Sequence, residues 1–174
     1  SPNPVVTLSA SPYTKLYPGL ITTLSASVNP PGSYIYTWFK NNVQVPGALT
    51  ATLPGIDITD LGSYTVNVIN STGLPCSNTS AALVIGDSAV SKLFILPNPN
   101  RGDFDVVYHS PGNNTYTLSI FDSKGALVFR RSYNITSAYQ LMDVDMRYHG
   151  KGLYHISLTN SSGKRMATGK VVIQ

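Results

Sequence analysis

The sequence is short of several residue types, and each shortage narrows the choice of structure. It has no glutamate and a single cysteine, Cys76, so no disulfide can form within the chain. We expect that lone thiol to behave as a small, inert hydrophobic side chain. No apolar run reaches the roughly 18 residues that a membrane-spanning helix needs. A secretory leader is also missing, and we expect a mature form or a fragment of a longer protein.

What the sequence does contain is typical of short strands joined by turns. Eleven tyrosines and many valines and threonines favour strands, while 14 glycines and 12 prolines supply turns. Apolar residues alternate over short segments that recur at the spacing of a β-sandwich. We therefore predict an all-β chain of two tandem antiparallel β-sandwiches, each of about seven strands. The domains are expected at 1–86 and 93–174, with a linker at 87–92.

The first domain carries a tryptophan and a tyrosine at informative places. Trp38 lies in the middle of a predicted strand, and the run from Asp60 to Tyr64 has the D-x-G-x-Y pattern of a tyrosine corner. Ala26 and Val66 occupy the two positions where a disulfide would lie relative to that tryptophan and tyrosine. On these residues the domain resembles disulfide-free bacterial immunoglobulin-like domains. The second domain is predicted to be a sandwich of the same kind.

Two other pairs of side chains in the first domain have two possible interpretations each. Tyr34 and Tyr36 are candidates for a ligand surface that stacks on sugars, or they serve the core and its rim. Asp57 and Asp60 are a candidate carboxylate pair, but we expect a corner residue and an exposed strand position instead.

Four motifs follow one another in the second domain. The domain opens with a Pro-Asn-Pro-x-x-Gly run within residues 96–102. Three motifs come later: a turn at 122–125, a Gly-Leu-Tyr strand start at 152–154, and a Lys before an apolar run at 170–173. Together these motifs resemble the type A C-terminal sorting domain of the type IX secretion system, although one lysine stands where a basic pair is usual. The candidate sorting residues are Pro97, Asn98, Pro99, Gly102, Asp122, Gly125, Gly152, Tyr154 and Lys170.

The resemblance implies a role in export. Such a domain directs folded cargo from the periplasm across the outer membrane of a Gram-negative bacterium, where a sortase removes it and attaches the cargo to anionic lipopolysaccharide. The chain is then the non-catalytic C-terminal region of a secreted or cell-surface protein, with the first domain as a spacer. Any catalytic domain would lie upstream. The alternative is an adhesion module that binds carbohydrate or protein through the first domain.

Charge is distributed unevenly along the chain. The net charge of +4 arises entirely from Asp87 onward, where ten basic residues face six aspartates. An anionic partner such as lipopolysaccharide is one interpretation, and a solvated surface is the other. Lys164, Arg165 and Lys170 would make the last strand basic, either for recognition through its edge or simply for solubility.

Few residues suggest other chemistry. His109, His149 and His155 lack metal-ligand spacing, and Asp143 with Asp145 is too small a set for calcium. We therefore predict no cofactor, no metal, no nucleic-acid partner and a monomer. Asp87-Ser88-Ala89 resembles the O-glycosylation acceptor motif of these bacteria, which makes Ser88 a candidate modification site.

Overall fold

A computed structural model of the chain describes residues 3–174, which form two separate units. The first unit ends at Ser88, and the second covers Ala89–Gln174. Both consist of strands packed as two sheets and paired antiparallel, except for the short parallel pair Lys15–Leu16 with Gly86–Asp87 in the first unit, so the predicted all-β fold class is confirmed. In the described residues, no helix has the length and apolar character to cross a membrane.

The first unit is a sandwich of a three-stranded and a six-stranded sheet. The smaller sheet has the order β1-β3-β6; the larger has the order β2-β9-β7-β4-β5, with β8 paired to β7. A 3-10 helix, Ile58–Asp60, leads into β7. The strands are β1 Val5–Ser11, β2 Lys15–Leu16, β3 Thr22–Asn29, β4 Tyr34–Lys40, β5 Val43–Gln44, β6 Thr52–Ile56, β7 Gly62–Asn70, β8 Ser77–Thr79 and β9 Leu83–Asp87.

Trp38 and Tyr64 hold the first core together, as the sequence predicts. Trp38 is fully buried opposite Val66, and its indole N–H donates to the Thr50 carbonyl at 2.8 Å. The Tyr64 hydroxyl donates to the Asp60 carbonyl at 2.5 Å, which is a tyrosine corner. Burial, followed by the charges of two nearby aspartates, raises the pKa of Tyr64 to about 12.

Asp57 differs from its expected place on an exposed strand. Its carboxylate accepts from the Thr59 N–H at 2.8 Å, and its own N–H donates to the Asp60 carboxylate at 3.3 Å. The second of these bonds, together with the bond from the Asp60 N–H to the Asp57 side chain, forms a capping box on the 3-10 helix. Both aspartates therefore have structural roles. These roles explain why the two carboxylates lie close together, and no reactive carboxylate pair is needed to explain it.

The second unit is a seven-stranded sandwich. A three-stranded sheet of order β10-β11-β14 faces a four-stranded sheet of order β13-β12-β15-β16. Alternate residues of the strands face inward, as in β14, where Met142 and Val144 are buried and their neighbours exposed. The strands are β10 Phe94–Leu96, β11 Asp103–Val107, β12 Asn114–Phe121, β13 Leu127–Ile135, β14 Met142–Asp145, β15 Gly152–Asn160 and β16 Arg165–Ile173.

The boundary between the units lies two residues further along than Gly86. Strand β9 extends through Asp87 because Leu16 of β2 pairs with that residue. The Ser88 N–H then donates to the Leu16 carbonyl at 2.7 Å, which holds the start of the expected linker on the first unit. Ser88 itself is half-buried, and its glycosylation stays a prediction.

Candidate recognition site on the last strand

Three of the four sorting motifs meet at one end of the four-stranded sheet. The last strand, β16, lies at the edge of this sheet and pairs only with β15 among the described strands. Gly152 begins β15 and pairs with Ile173, near the end of β16. Asn100, in the opening motif, forms a parallel bridge with the same Ile173. Segments some seventy residues apart in the sequence are thus brought together.

The fourth motif lies at the same end of the sheet. Lys170 pairs with His155, and His155 pairs with Phe121 at the end of β12. The Asp122–Gly125 turn follows Phe121 directly. It therefore leaves the sheet at the level of Lys170, with β15 between the two strands. All four motifs therefore surround one end of the second sandwich.

Asn98 binds the exposed edge of β16 through its side chain. Its amide Nδ2 donates to the Lys170 carbonyl at 2.9 Å, and its Oδ1 accepts from the Val172 N–H at 3.0 Å. The side chain thus satisfies two backbone groups that an edge strand leaves open. We call this pair of bonds the Asn98 latch.

The backbone of Asn100 continues the cover along β16. Its N–H donates to the Val172 carbonyl at 3.0 Å, and its carbonyl accepts from the Gln174 N–H at 2.8 Å. Its side chain is buried within the motif, where it donates to the Pro97 carbonyl and accepts from the Gly102 N–H. Asn100 therefore shapes the Pro-Asn-Pro loop that presents the latch.

Gly102 is in the opening motif because no other residue fits there. Its φ is +99°, and a Cβ on it would lie 2.8 Å from the Cα and N of Arg147. The Gly102 carbonyl also accepts from the Met146 N–H at 2.6 Å. The loop is thus packed directly against the backbone that connects β14 to β15.

The Asp122 and Gly125 motif forms a tight turn. The Asp122 carboxylate accepts from the backbone N–H groups of Lys124 and Ala126, each at 2.9 Å. Gly125 has a φ of +86°, which favours glycine. These two residues close the β12–β13 hairpin, and turn geometry explains why an aspartate and a glycine stand at these positions.

Tyr154 forms a second tyrosine corner. Its ring is buried, and its hydroxyl donates to the Gly150 carbonyl at 2.5 Å, four residues upstream as in Tyr64 and Asp60. Both units therefore use a Gly-x-Tyr segment at the start of a central strand. In the second unit this corner fixes the start of β15, and with it the partner of β16.

Replacing Tyr154 with phenylalanine should destabilise the second unit alone, by about 1 kcal/mol, because one hydrogen bond is lost while the ring stays packed. Trp38 is the only tryptophan and lies in the first unit, so its fluorescence reports that unit. In urea unfolding, Tyr154→Phe should shift the circular-dichroism transition of the second unit and leave the fluorescence transition in place. The control, Tyr64→Phe, should do the reverse. A fluorescence shift in Tyr154→Phe would contradict independent corners.

The tyrosines proposed for a ligand surface face the first core instead. Tyr34 and Tyr36 are half-buried and pack on the same side of β4 as Trp38. The Tyr34 hydroxyl also donates to the Pro30 carbonyl at 2.8 Å. The geometry therefore supports the interpretation that these tyrosines serve the core and its rim. Cys76 is half-buried in the loop before β8.

The polar residues considered for metals do not form a metal site. Among residues 3–174, no group of three or more histidine, cysteine, aspartate or glutamate side chains is placed to hold an ion. Asp143 pairs with Arg131 at 3.1 Å, and Asp145 pairs with Arg147 at 2.6 Å. The Arg147 hydrogen bonds lower the pKa of Asp145 to about 2.

Comparison with known proteins agrees with this arrangement. Residues 94–174 match the family described as "Secretion system C-terminal sorting domain". The chain is thus a β-sandwich with a buried tryptophan and a tyrosine corner, followed by a secretion-system domain. More narrowly, its second sandwich is a C-terminal sorting domain of the type IX secretion system. No curated protein matches the chain.

Several solved structures are similar in outline. One contains the three N-terminal domains of the Hoc outer capsid protein of bacteriophage RB49, with 17% identity and a TM-score of 0.45 over 98% of this chain. This chain spans 59% of that structure's length. The human OSCAR ligand-binding domain has 17% identity and a TM-score of 0.38, covering 99% of this chain and 95% of its own. Two fibronectin type III domains of chicken tenascin have 12% identity and a TM-score of 0.33, covering 99% of both chains.

Proposed function

We propose that the chain is the non-catalytic C-terminal region of a larger exported protein, in which the first sandwich is a spacer and the second carries the export signal. The sorting domain implies secretion across the outer membrane and contact with the secretion machinery. After export, we expect a sortase to remove this domain and to attach the cargo to anionic lipopolysaccharide at the cell surface. An upstream enzyme or adhesin would be the cargo.

The observation that supports this proposal best is the meeting of all four motifs around β16. Asn98 and Asn100 cover the outer edge of this strand from Lys170 to Gln174, while β15 pairs with its inner edge. A strand held on both sides presents the same shape whenever the domain is folded. A receptor that reads this end would therefore accept folded domains and reject unfolded ones.

The spacer role is supported by the contacts of three charged residues in the first unit, each of which stabilises the fold. Asp57 caps the 3-10 helix, Asp60 accepts the corner hydroxyl of Tyr64, and Lys40 forms an ion pair with Asp60 at 3.8 Å. These side chains stabilise the fold through their mutual contacts. We propose that this unit separates the cargo from the sorting domain.

A reporter experiment tests the proposal. A periplasmic reporter is fused to the whole chain, and a matched fusion carries only residues 3–88, in a Gram-negative host with a type IX system. We expect the first fusion in the medium or on the cell surface, and the second in the periplasm. Equal retention of both fusions, with the whole chain folded, would refute an export function. Release of the short fusion would show that the signal lies in the first unit.

A further inference from the structure

The outward face of the four-stranded sheet in the second unit is covered by hydroxyl groups. Thr117 and Ser132 share a hydrogen bond of 2.9 Å across β12 and β13, and Thr115 donates to Asn134 at 3.1 Å. Ser157 and Thr168 face each other across β15 and β16. This surface is polar, and part of it is satisfied by hydrogen bonds between its own side chains.

Three cationic side chains lie among these hydroxyl groups on the same face. Arg130 lies opposite Ser119 on β12, Arg165 lies opposite Thr159 on β15, and Lys170 lies opposite His155. Arg130, Arg165 and Lys170 are exposed, and none of the three forms an ion pair with a carboxylate in residues 3–174. The positive charge of these three side chains is therefore not neutralised by an ion pair within the fold.

The carboxylates of the second unit lie mainly on the other sheet. Asp103 pairs with Asp145 and Asp105 pairs with Asp143 across β11 and β14, so four aspartates cluster on that outward face. Burial, and then the charges of Asp143 and Asp103, raises the pKa of Asp105. Arg131 and Arg147 pair with two of these four aspartates, so that face keeps some unpaired negative charge, whereas the strands of the four-stranded face carry no carboxylate side chain among the described residues.

A groove on the cationic face combines charge with apolar contact. It has a volume of about 620 Å³ and is lined by Phe121, His155, Ser157, Arg165 and Lys170, among others. An arginine and an aromatic side chain, Arg165 and Phe121, both line this groove, and these two residue types are enriched in protein–protein interfaces. The exposed apolar side chains of these strands, Leu127 and Leu153, are single residues on a sheet, whereas binding at a lipid surface typically uses the continuous apolar face of an amphipathic helix.

We propose that this cationic face, formed by the outward side chains of β12, β13, β15 and β16, docks onto an acidic surface of a partner protein. The proposal rests on the export function, because it identifies the face through which the secretion machinery holds the sorting domain. Complementary charge would steer the encounter and fix the orientation, and it would make binding weaken as salt rises. The motif end of the sheet, with Lys170, lies at one border of this face.

Charge reversal away from the motifs tests the docking face in cells. Arg130→Glu with Arg165→Glu should lower export of the full-chain reporter at least tenfold. The control, Lys15→Glu with Lys92→Glu, changes the net charge equally at exposed positions off this face and outside the motifs, and should export like the wild type. Circular dichroism of the purified chains checks that both variants are folded. If the wild-type fusion is not exported, the export function fails; if the first variant exports as well as the control, only the docking face is refuted.

Titration of the full chain with defined anions separates the kinds of partner. In amide NMR spectra, a hexaglutamate peptide should shift the signals of Ser157 and Thr168, with a dissociation constant that rises at least threefold when salt is doubled. The Arg130→Glu, Arg165→Glu variant should lose the shifts. Shifts produced by anionic phospholipid vesicles but not by hexaglutamate would overturn the proposal in favour of a membrane surface. No shift with either probe would overturn it as well.

Discussion

Replacing Gly102 with alanine is expected to destabilise the second unit by about 2–4 kcal/mol. Two costs combine. An alanine at a φ of +99° loses about 1 kcal/mol or more, and a Cβ 2.8 Å from the Arg147 backbone forces a shift that costs about 1–3 kcal/mol. Small domains are stable by only about 5–15 kcal/mol, so this is a large fraction of the total.

A glycine elsewhere in the second unit provides the control for Gly102. A Cβ on Gly112 would meet no atom within 4 Å, and its φ is not in the left-handed range. Gly112→Ala should therefore stay within about 1 kcal/mol of the wild type. Urea unfolding followed by circular dichroism measures both variants, while Trp38 fluorescence checks that the first unit is unchanged. Similar losses in the two variants would contradict the close approach at Gly102.

Replacing Asn98 with alanine should open the edge of β16 without unfolding the domain. The Val172 N–H loses its acceptor and the Lys170 carbonyl loses its donor, and water replaces both because Asn98 is exposed. Each lost hydrogen bond costs about 0.5–1.5 kcal/mol. We expect the Val172 amide to exchange with solvent about tenfold faster, since 1.4 kcal/mol corresponds to a factor of ten.

The effect of Asn98→Ala should be confined to the end of β16. The Tyr154 amide, on the protected neighbouring strand β15, should exchange at the wild-type rate. Hydrogen exchange read by NMR on the full chain gives both rates in one experiment. Unchanged protection at Val172 would show that the latch does not hold the strand.

Local motifs were predicted well because their chemistry is contained in a few neighbouring residues. Trp38 and the corner at Tyr64 could be placed from spacing alone, and the structure confirms both. The turn made by Asp122 and Gly125 is equally local. By contrast, the role of Asp57 was misjudged, since the 3-10 helix that it caps is only three residues long and leaves little trace in the pattern.

Contacts between distant segments could not be read from the sequence. Asn100 was not among the predicted site residues, yet its backbone covers the end of β16, more than seventy residues away. The position of Asn100, two residues before Gly102, is the feature of the sequence that could have indicated its role, because a buried amide side chain often organises such a loop. The corner at Tyr154 was also missed, although its Gly-x-Tyr segment repeats the one at Tyr64.

The separation of charge between the two sheets likewise depends on register. Asp103 and Asp105 lie some forty residues from Asp143 and Asp145, and only the pairing of β11 with β14 brings the four together. The net charge of the second half is evident from composition, whereas the presence of Arg130, Arg165 and Lys170 on the other face is not. Alternation along each strand fixes the face of a residue, whereas strand order decides which residues share it.

Export of the full-chain reporter carrying Asn98→Ala, compared with Asn160→Ala, is the most direct test of the account. Asn160 also accepts backbone hydrogen bonds through its side chain, from Ser162 and Lys164, but in the β15–β16 turn at the opposite end of the sheet. With both variants folded, we expect Asn98→Ala to lower export at least tenfold and Asn160→Ala to leave it near the wild type. Equal export of the two variants would contradict the claim that the latched end of β16 is the export signal.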